Sequence, residues 1–277
     1  MNDLIIDKNY EGLVENKFNY KLNESVQCEG NLKIVLDKFL IVDGYIEARG
    51  SIKASRSIKA DESIKAGGSI KADESIEAGG SIKAGGFIEA GWSIKAGGSI
   101  KTDESIEAGW SIKADESIEA GRSIKADESI EAGWSIKADE SIEAGGSIKA
   151  GGSIEAGGSI KAGGFIEAGW SIKAGGSIKT DESIEAGGSI KAGGFIEVGW
   201  SIKAGGSILI AKQLQTENER LKTENVMGDK LCPIGQTSTC GYWAKQQKQI
   251  VVLQAKNSKL KLLNAFYIER LNLKART

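Results

Sequence analysis

The amino-acid sequence predicts an all-β fold: a parallel β-helix with three short strands per 18-residue coil, with a right-handed coil favoured, followed by a C-terminal helical extension. Isoleucine recurs every six residues from Ile46 to Ile208, at 28 consecutive positions without an insertion. Each unit reads Ser-Ile-Lys/Glu-Ala and ends in two corner residues, mostly Gly-Gly, Asp-Glu or Gly-Trp. Aromatic residues are only 6% of the chain, so a conventional core of large side chains is not expected.

Each unit has the pattern of a very short strand and a corner. Polar, apolar, charged and small apolar residues alternate, which is typical of a strand with one buried face, and Gly or Asp then favours a turn. A six-residue period does not fit a 3.6-residue helix. Ordering six residues costs roughly 9 kcal/mol, whereas burying one Ile returns about 1.5–3 kcal/mol. Units must therefore stack on one another, and three units per coil place equivalent strands about 4.8 Å apart.

The array defines the domain organisation. We predict an N-terminal cap over residues 1–33, a β-helix of hexapeptide repeats over residues 34–210, and a basic, partly helical cap or tail over residues 211–277. Residues 75–109 are identical to residues 153–187, which indicates growth of the array by internal duplication.

The composition changes after residue 210. Residues 211–277 carry a net charge of +7, against −9 for residues 1–210. Residues 211–227, with Leu214 and Leu221 one heptad apart, predict a polar helix, and apolar residues between about Ala244 and Lys274 predict an amphipathic helix. That helix either forms a coiled coil or packs on the last coil, where Leu209 replaces the expected outward charge.

Several classes of chemistry are excluded or disfavoured. The chain has no His, which removes Ser-His-Asp and Cys-His nucleophiles and His-ligated zinc. Cys28, Cys232 and Cys240 fit reduced thiols better than a disulfide framework or a metal site. The N-terminus has no signal-peptide pattern and no stretch reaches 18 apolar residues, so we expect a cytoplasmic protein. We predict no catalytic residue, no metal site and no cofactor.

The Gly-Ser-Ile-Lys-Ala and Gly-Ser-Ile-Glu-Ala units resemble the G-x-I-x-A spacing of bactofilins, bacterial proteins whose β-helix domain assembles end to end into filaments. The resemblance covers the repeat array and implies polymerisation. This array is more uniform, and its tail is longer and more basic. Left-handed hexapeptide acyltransferases fit less well, because the small inward residue that they need two places before the aliphatic one is replaced here by Trp92 or Glu128, among others.

Surface aromatic and basic residues are the candidate partner-binding groups. An 18-residue coil stacks Trp92 directly under Trp110 with Trp200 on the same corner, and places Trp134 and Trp170 on a second corner. Exposed Trp is enriched at binding hot spots; the alternative is that each ring folds over a Gly-Gly corner. Three further candidates lie in the basic tail: Lys256, Lys259 and Lys261.

Two hypotheses for function remain open. The first is a non-enzymatic scaffold that self-assembles into a homo-oligomer or filament, since the strand array carries no attached chemistry. The second is a protein-binding module, such as an inhibitor or appendage component encoded by a phage or mobile element, which uses the Trp corners and the tail. Contact of residues 244–276 with nucleic acid or a membrane is disfavoured, because no recognisable module accompanies the basic residues.

Overall fold

The computed structural model describes residues 2–210, 213–216, 221–228 and 251–253, and within them the chain is a parallel β-solenoid. Its strands lie in three columns with one strand of each column per coil. Strands that pair between regular coils, such as those of Ile64 and Ile82, are three hexapeptide units apart in the sequence, which confirms the predicted length of the coil. The right-handed sense stays a prediction.

The strands are short and regular over most of the chain. The first six are β1 (Leu4–Ile6), β2 (Val14–Glu15), β3 (Asn19–Leu22), β4 (Val26–Cys28), β5 (Leu32–Ile34) and β6 (Phe39–Val42). The next 25, β7 (Ile46–Ala48) to β31 (Ile190–Ala192), begin at every sixth residue and run for three residues from an Ile to an Ala or Thr. The last five are β32 (Phe195–Val198), β33 (Ile202–Ile210), β34 (Gln213–Thr216), β35 (Leu221–Gly228) and β36 (Val251–Leu253).

The chain passes through the three columns in turn, so successive strands of the regular coils belong to columns 1, 2 and 3. Column 1 contains β1, β5, β8 and every third strand up to β32, followed by β34; its 12 strands form one sheet. Column 2 contains β3, β6, β9 and every third strand up to β30, and column 3 contains β4, β7, β10 and every third strand up to β31. We name the turn from column 1 to column 2 corner 1, the turn from column 2 to column 3 corner 2, and the turn from column 3 to column 1 corner 3.

Hydrogen bonds between coils satisfy the backbone at the corners as well as in the strands. The Ile64 N–H donates to the Ser81 carbonyl of the next coil at 3.0 Å, and the Gly79 N–H donates to the Ala60 carbonyl of the coil below at 2.9 Å. Serine hydroxyls complete the ladder, as when the Ser81 N–H donates to Ser63 Oγ at 3.1 Å. In many repeats the Ser hydroxyl is therefore a structural acceptor for the coil above it, whereas others, such as that of Ser99, donate to a Glu carboxylate.

The interior is filled by aliphatic side chains. All 28 Ile side chains of the array are exposed at 1% or less. Ala occupies most of the second inward positions, and the two Thr found there, Thr102 and Thr180, are equally buried. Because each Ile lies on the equivalent Ile of neighbouring coils, the core is one continuous column that stabilises the fold through burial.

The N-terminal segment, which precedes residue 34, adds one strand beneath each of the three columns. Strand β1 pairs in parallel with β5, and β3 and β4 lie beneath β6 and β7, so residues 2–33 contribute an irregular first coil. Residues between β1 and β3 lie at the end of the column, where Tyr10 and Leu13 pack against the core. This part of the chain therefore covers the end partly by adding to the stack.

At the other end the helix predicted for residues 211–227 is wrong where the structure describes that segment. Gln213–Thr216 and Leu221–Gly228 are strands, and they continue the parallel pairing of β32 and β33. The physical reason is the open edge of the last coil: its unpaired backbone groups bond a further strand, whereas a short polar helix has little apolar surface to bury. Val251–Leu253, within the second predicted helix, is also a strand, antiparallel to β35. The remainder of residues 244–274 lies outside the described residues.

The two copies of the duplicated block, residues 75–109 and 153–187, place equivalent residues on different faces of the solenoid. The copies begin at residues 75 and 153, which are thirteen hexapeptide units apart, or four coils and one further unit. The second copy is therefore rotated by one column. Trp92 thus lies on corner 1 and its copy, Trp170, on corner 2.

Candidate partner-binding surface

The first pair of predicted tryptophans forms an aromatic stack on corner 1. The Trp110 N–H donates to the Trp92 carbonyl at 2.9 Å, so the two residues occupy successive coils. Their ring centroids are 5.5 Å apart and the ring planes differ by 9°. The side chains remain 44% and 52% exposed. The predicted stacking is confirmed, and each indole keeps substantial area for a partner.

The other three tryptophans are more exposed. Trp134 and Trp170 lie on corner 2, with the buried Gly152 in the coil between them. Each of the two is 70% exposed, and Trp200, on corner 1 near the end of the array, is 60% exposed. The structure therefore places the five predicted Trp residues on two of the three corners, as the 18-residue coil predicts.

Three phenylalanines lie where the repeat has its corner Ser: Phe87, Phe165 and Phe195. They are 37–39% exposed. The N–H of Phe87 still donates to Ser69 Oγ at 3.2 Å, but a phenyl ring has no hydroxyl to accept a bond from the coil above. At these three positions the hydrogen bond from the coil above to a Ser hydroxyl is lost, and apolar surface is gained at the corner.

The outward Lys and Glu residues of the strands pair between coils. The Lys71 ammonium lies 2.6 Å from a Glu89 oxygen and that of Lys161 2.7 Å from Glu143, with side chains 39–58% exposed. The hydrogen bond to Glu89 raises the pKa of Lys71 above its ordinary value. Exposed pairs of this kind contribute about 0–1 kcal/mol each. They keep the flat faces charged and solvated, but they point to no particular ligand.

Glu74, the residue below Trp92 on corner 1, is the most enclosed acidic partner among the described ion pairs. Arg56 Nη1 donates to its carboxylate at 2.7 Å and Ser57 Oγ at 3.0 Å. Burial opposes ionisation, but the bonds from Arg56 and Ser57 outweigh it and hold the pKa of Glu74 below its ordinary value. The lower side of the Trp stack is therefore closed by an ion pair.

A buried hydroxyl relay was missed from the sequence. The Thr102 hydroxyl donates to the Gly86 carbonyl of the coil below and accepts the Glu104 N–H at 3.3 Å. In a regular unit the corner amide bonds that carbonyl directly, as the Gly86 N–H does with the Gly68 carbonyl at 3.0 Å. Thr180 repeats the arrangement with Gly164 and Glu182. Thr at a position otherwise occupied by Ala was the available signal.

The remaining predicted residues are only partly described. Lys256, Lys259, Lys261, Cys232 and Cys240 lie outside the described residues. Cys28 is a half-buried free thiol whose Sγ lies 3.4 Å from the Gly30 carbonyl oxygen, and burial raises its pKa.

The described part of the chain contains no group of three or more Cys, Asp or Glu residues placed to hold a metal ion. Within the same residues no helix has the length and apolar character needed to cross a membrane. No family model, curated protein or solved structure matches this chain.

Proposed function

We propose that this protein is a non-enzymatic structural scaffold, a rigid β-solenoid that self-assembles. The observation that carries the proposal is the unbroken parallel sheet of column 1, whose 12 strands span about 53 Å at 4.8 Å per layer. Fully buried Ile residues line that sheet. Such a column holds its surface groups at fixed spacing, which is what a scaffold requires.

Self-assembly is supported by the end of the sheet. The Leu4 N–H and the Ile6 carbonyl bond toward β5, so the alternation of a parallel strand directs the Ile5 amide groups to the outer edge. Ile5 is also 55% exposed. An edge of this kind pairs readily with a strand of another molecule. The resemblance to bactofilins favours the same mode of contact.

Electron microscopy and light scattering of the purified protein test the proposal. We expect rods longer than one column and a mass that rises with concentration. Ile5→Pro removes the outward N–H without touching a bond to β5 and should lower the assembled mass, whereas the matched Ile5→Thr variant keeps the N–H and should assemble normally. A monodisperse monomer at all concentrations contradicts self-assembly.

The second candidate is a protein-binding module, favoured by the exposed Trp stack on corner 1. It would hold one target through Trp92 and Trp110, aided by the basic tail. A double Trp92→Ser, Trp110→Ser variant that still retains its partner in a pull-down contradicts this function, whereas loss of the partner with an intact β circular dichroism spectrum supports it.

A further inference from the structure

Above the Trp stack, corner 1 carries two glycine layers that are flanked on each side by a Glu and then a Trp. Six successive coils place one residue each at the second corner position, in the order Trp110, Glu128, Gly146, Gly164, Glu182 and Trp200. Backbone bonds confirm the stacking: the Glu128 N–H donates to the Trp110 carbonyl at 3.0 Å and the Trp200 N–H to the Glu182 carbonyl at 3.0 Å. We call these six residues the corner 1 trough.

The trough has the dimensions of an extended peptide. Five layer spacings separate Trp110 from Trp200, about 24 Å, and three separate Glu128 from Glu182, about 14 Å. Gly146 and Gly164 have no side chains, so the floor is lower than both ends. Phe165, 37% exposed, follows Gly164 on the same corner and adds apolar surface. About seven extended residues would fill this length.

The trough favours a cationic occupant. Each of its ends combines an exposed indole with an Asp-Glu corner, Asp127-Glu128 at one end and Asp181-Glu182 at the other. Among the described residues, none of these four carboxylates forms an ion pair, in contrast to Glu143 on the neighbouring strand face. Indole faces attract Lys and Arg side chains, and carboxylates beside them strengthen the preference.

The chain itself brings a cationic segment to this corner. Leu253 of β36 pairs with Leu221, and Lys222 of β35 pairs with Lys203, which is near the start of β33, the strand that follows corner 1. Because β36 runs antiparallel to β35, its C-terminal end lies at the corner 1 side of the column, about two layers above Trp200. Residues 254–277 follow directly, with six Lys or Arg residues and one Glu.

We propose that the corner 1 trough binds the basic C-terminal segment, residues 254–276, of the same chain. From the end of β36 to Trp110 is about 34 Å, which about ten extended residues cover, so the segment is long enough. A segment tethered at the entrance has an effective concentration in the millimolar range, so the intramolecular contact prevails over binding from a second molecule. Corner 2 is a poorer site, because Trp134 and Trp170 enclose a single glycine layer.

Carbodiimide cross-linking tests the proposal on the full-length protein, since it joins a carboxylate to a lysine only where the two are in contact. Protein labelled with ¹⁵N and unlabelled protein are mixed and cross-linked, and the linked peptides are identified by mass spectrometry. We expect Glu128 or Glu182 joined to Lys256, Lys259 or Lys261 within one isotope. The yield should fall severalfold when the ionic strength is raised to about 0.5 M, where charges are screened within a few ångström.

Matched variants identify the site. Trp110→Ser with Trp200→Ser should lower the cross-link yield about tenfold, whereas Trp134→Ser with Trp170→Ser removes two exposed indoles from corner 2 and should leave it unchanged. Three results overturn the proposal: no cross-link from the trough, equal loss in both double variants, or mixed-isotope peptides as abundant as single-isotope ones. A negative result would leave the scaffold function intact, because the column and its end contact do not depend on the tail.

Discussion

Replacing Thr102 by Val is expected to destabilise the fold more than replacing it by Ala, although Val conserves the volume of the side chain. The Thr hydroxyl lies between the Glu104 N–H and the Gly86 carbonyl in a site that is 2% exposed. Val fills the site but bonds neither group, and an unsatisfied buried backbone group costs about 1–3 kcal/mol. Ala removes the obstruction, so Glu104 can bond Gly86 directly as regular units do, at a cost of about 1 kcal/mol or less.

Urea unfolding followed by far-ultraviolet circular dichroism measures the difference. We expect the urea midpoint to be highest for the wild type, lower for Thr102→Ala and lowest for Thr102→Val. The corresponding variants of Thr180 should follow the same order. Hydrogen exchange of the Glu104 amide gives a local readout, because this amide should exchange fastest in the Val variant. If Val is as stable as Ala at both positions, the hydroxyl does not connect the two coils and the reasoning fails.

Three further predictions concern the core and the charged surface. Ile130→Ala removes a side chain that is fully buried in the middle of the column and should cost about 2–5 kcal/mol in urea unfolding; a cost below about 1 kcal/mol would contradict a tightly packed core. Lys161→Ala breaks an exposed ion pair with Glu143 and should change the free energy of unfolding by less than about 1 kcal/mol in the same assay. A larger loss would contradict the view that the outward Lys and Glu pairs are solvated. The lowered pKa of Glu74 means that its contribution is complete above the unfolded-state pKa and disappears as the pH falls through the folded-state value. The difference between the urea midpoints of the wild type and Glu74→Gln should therefore shrink as the pH is lowered from about 7 into the acid range, and a constant difference would refute the effect of Arg56.

The regular part of the fold was predictable because one observation determines it. A six-residue isoleucine period does not fit a helix and the corner residues favour turns, so the inward positions follow from the sequence. Once three units are assigned to each coil, the stacking of Trp92 on Trp110 follows as well. The irregular first coil was harder to predict from the sequence. Leu4 pairs with Leu32 and Asn19 with Phe39, two separations that differ from each other and from that of the regular coils, and no repeated residue reveals them.

The tail and the surface were harder to predict for a different reason. Leu214 and Leu221 are one heptad apart, which is compatible with a helix and with two strands, and only the open edge of the last coil distinguishes the two. The tryptophan corners were predicted from coil length alone. The glycine floor beside them was not, because Gly146 and Gly164 are identical in sequence to many other corner glycines and differ only in what lies above and below them.

The thirteen-unit offset of the duplicated block sets a rule for how such an array can lengthen. Any insertion of whole hexapeptides keeps the isoleucines inside, so the core tolerates it, but only a multiple of three units returns each side chain to its former azimuth about the long axis. Recombination between repeats can therefore move an existing motif by a third of a turn to a new side of the rod while the fold survives, and novelty at the surface arises without any point mutation.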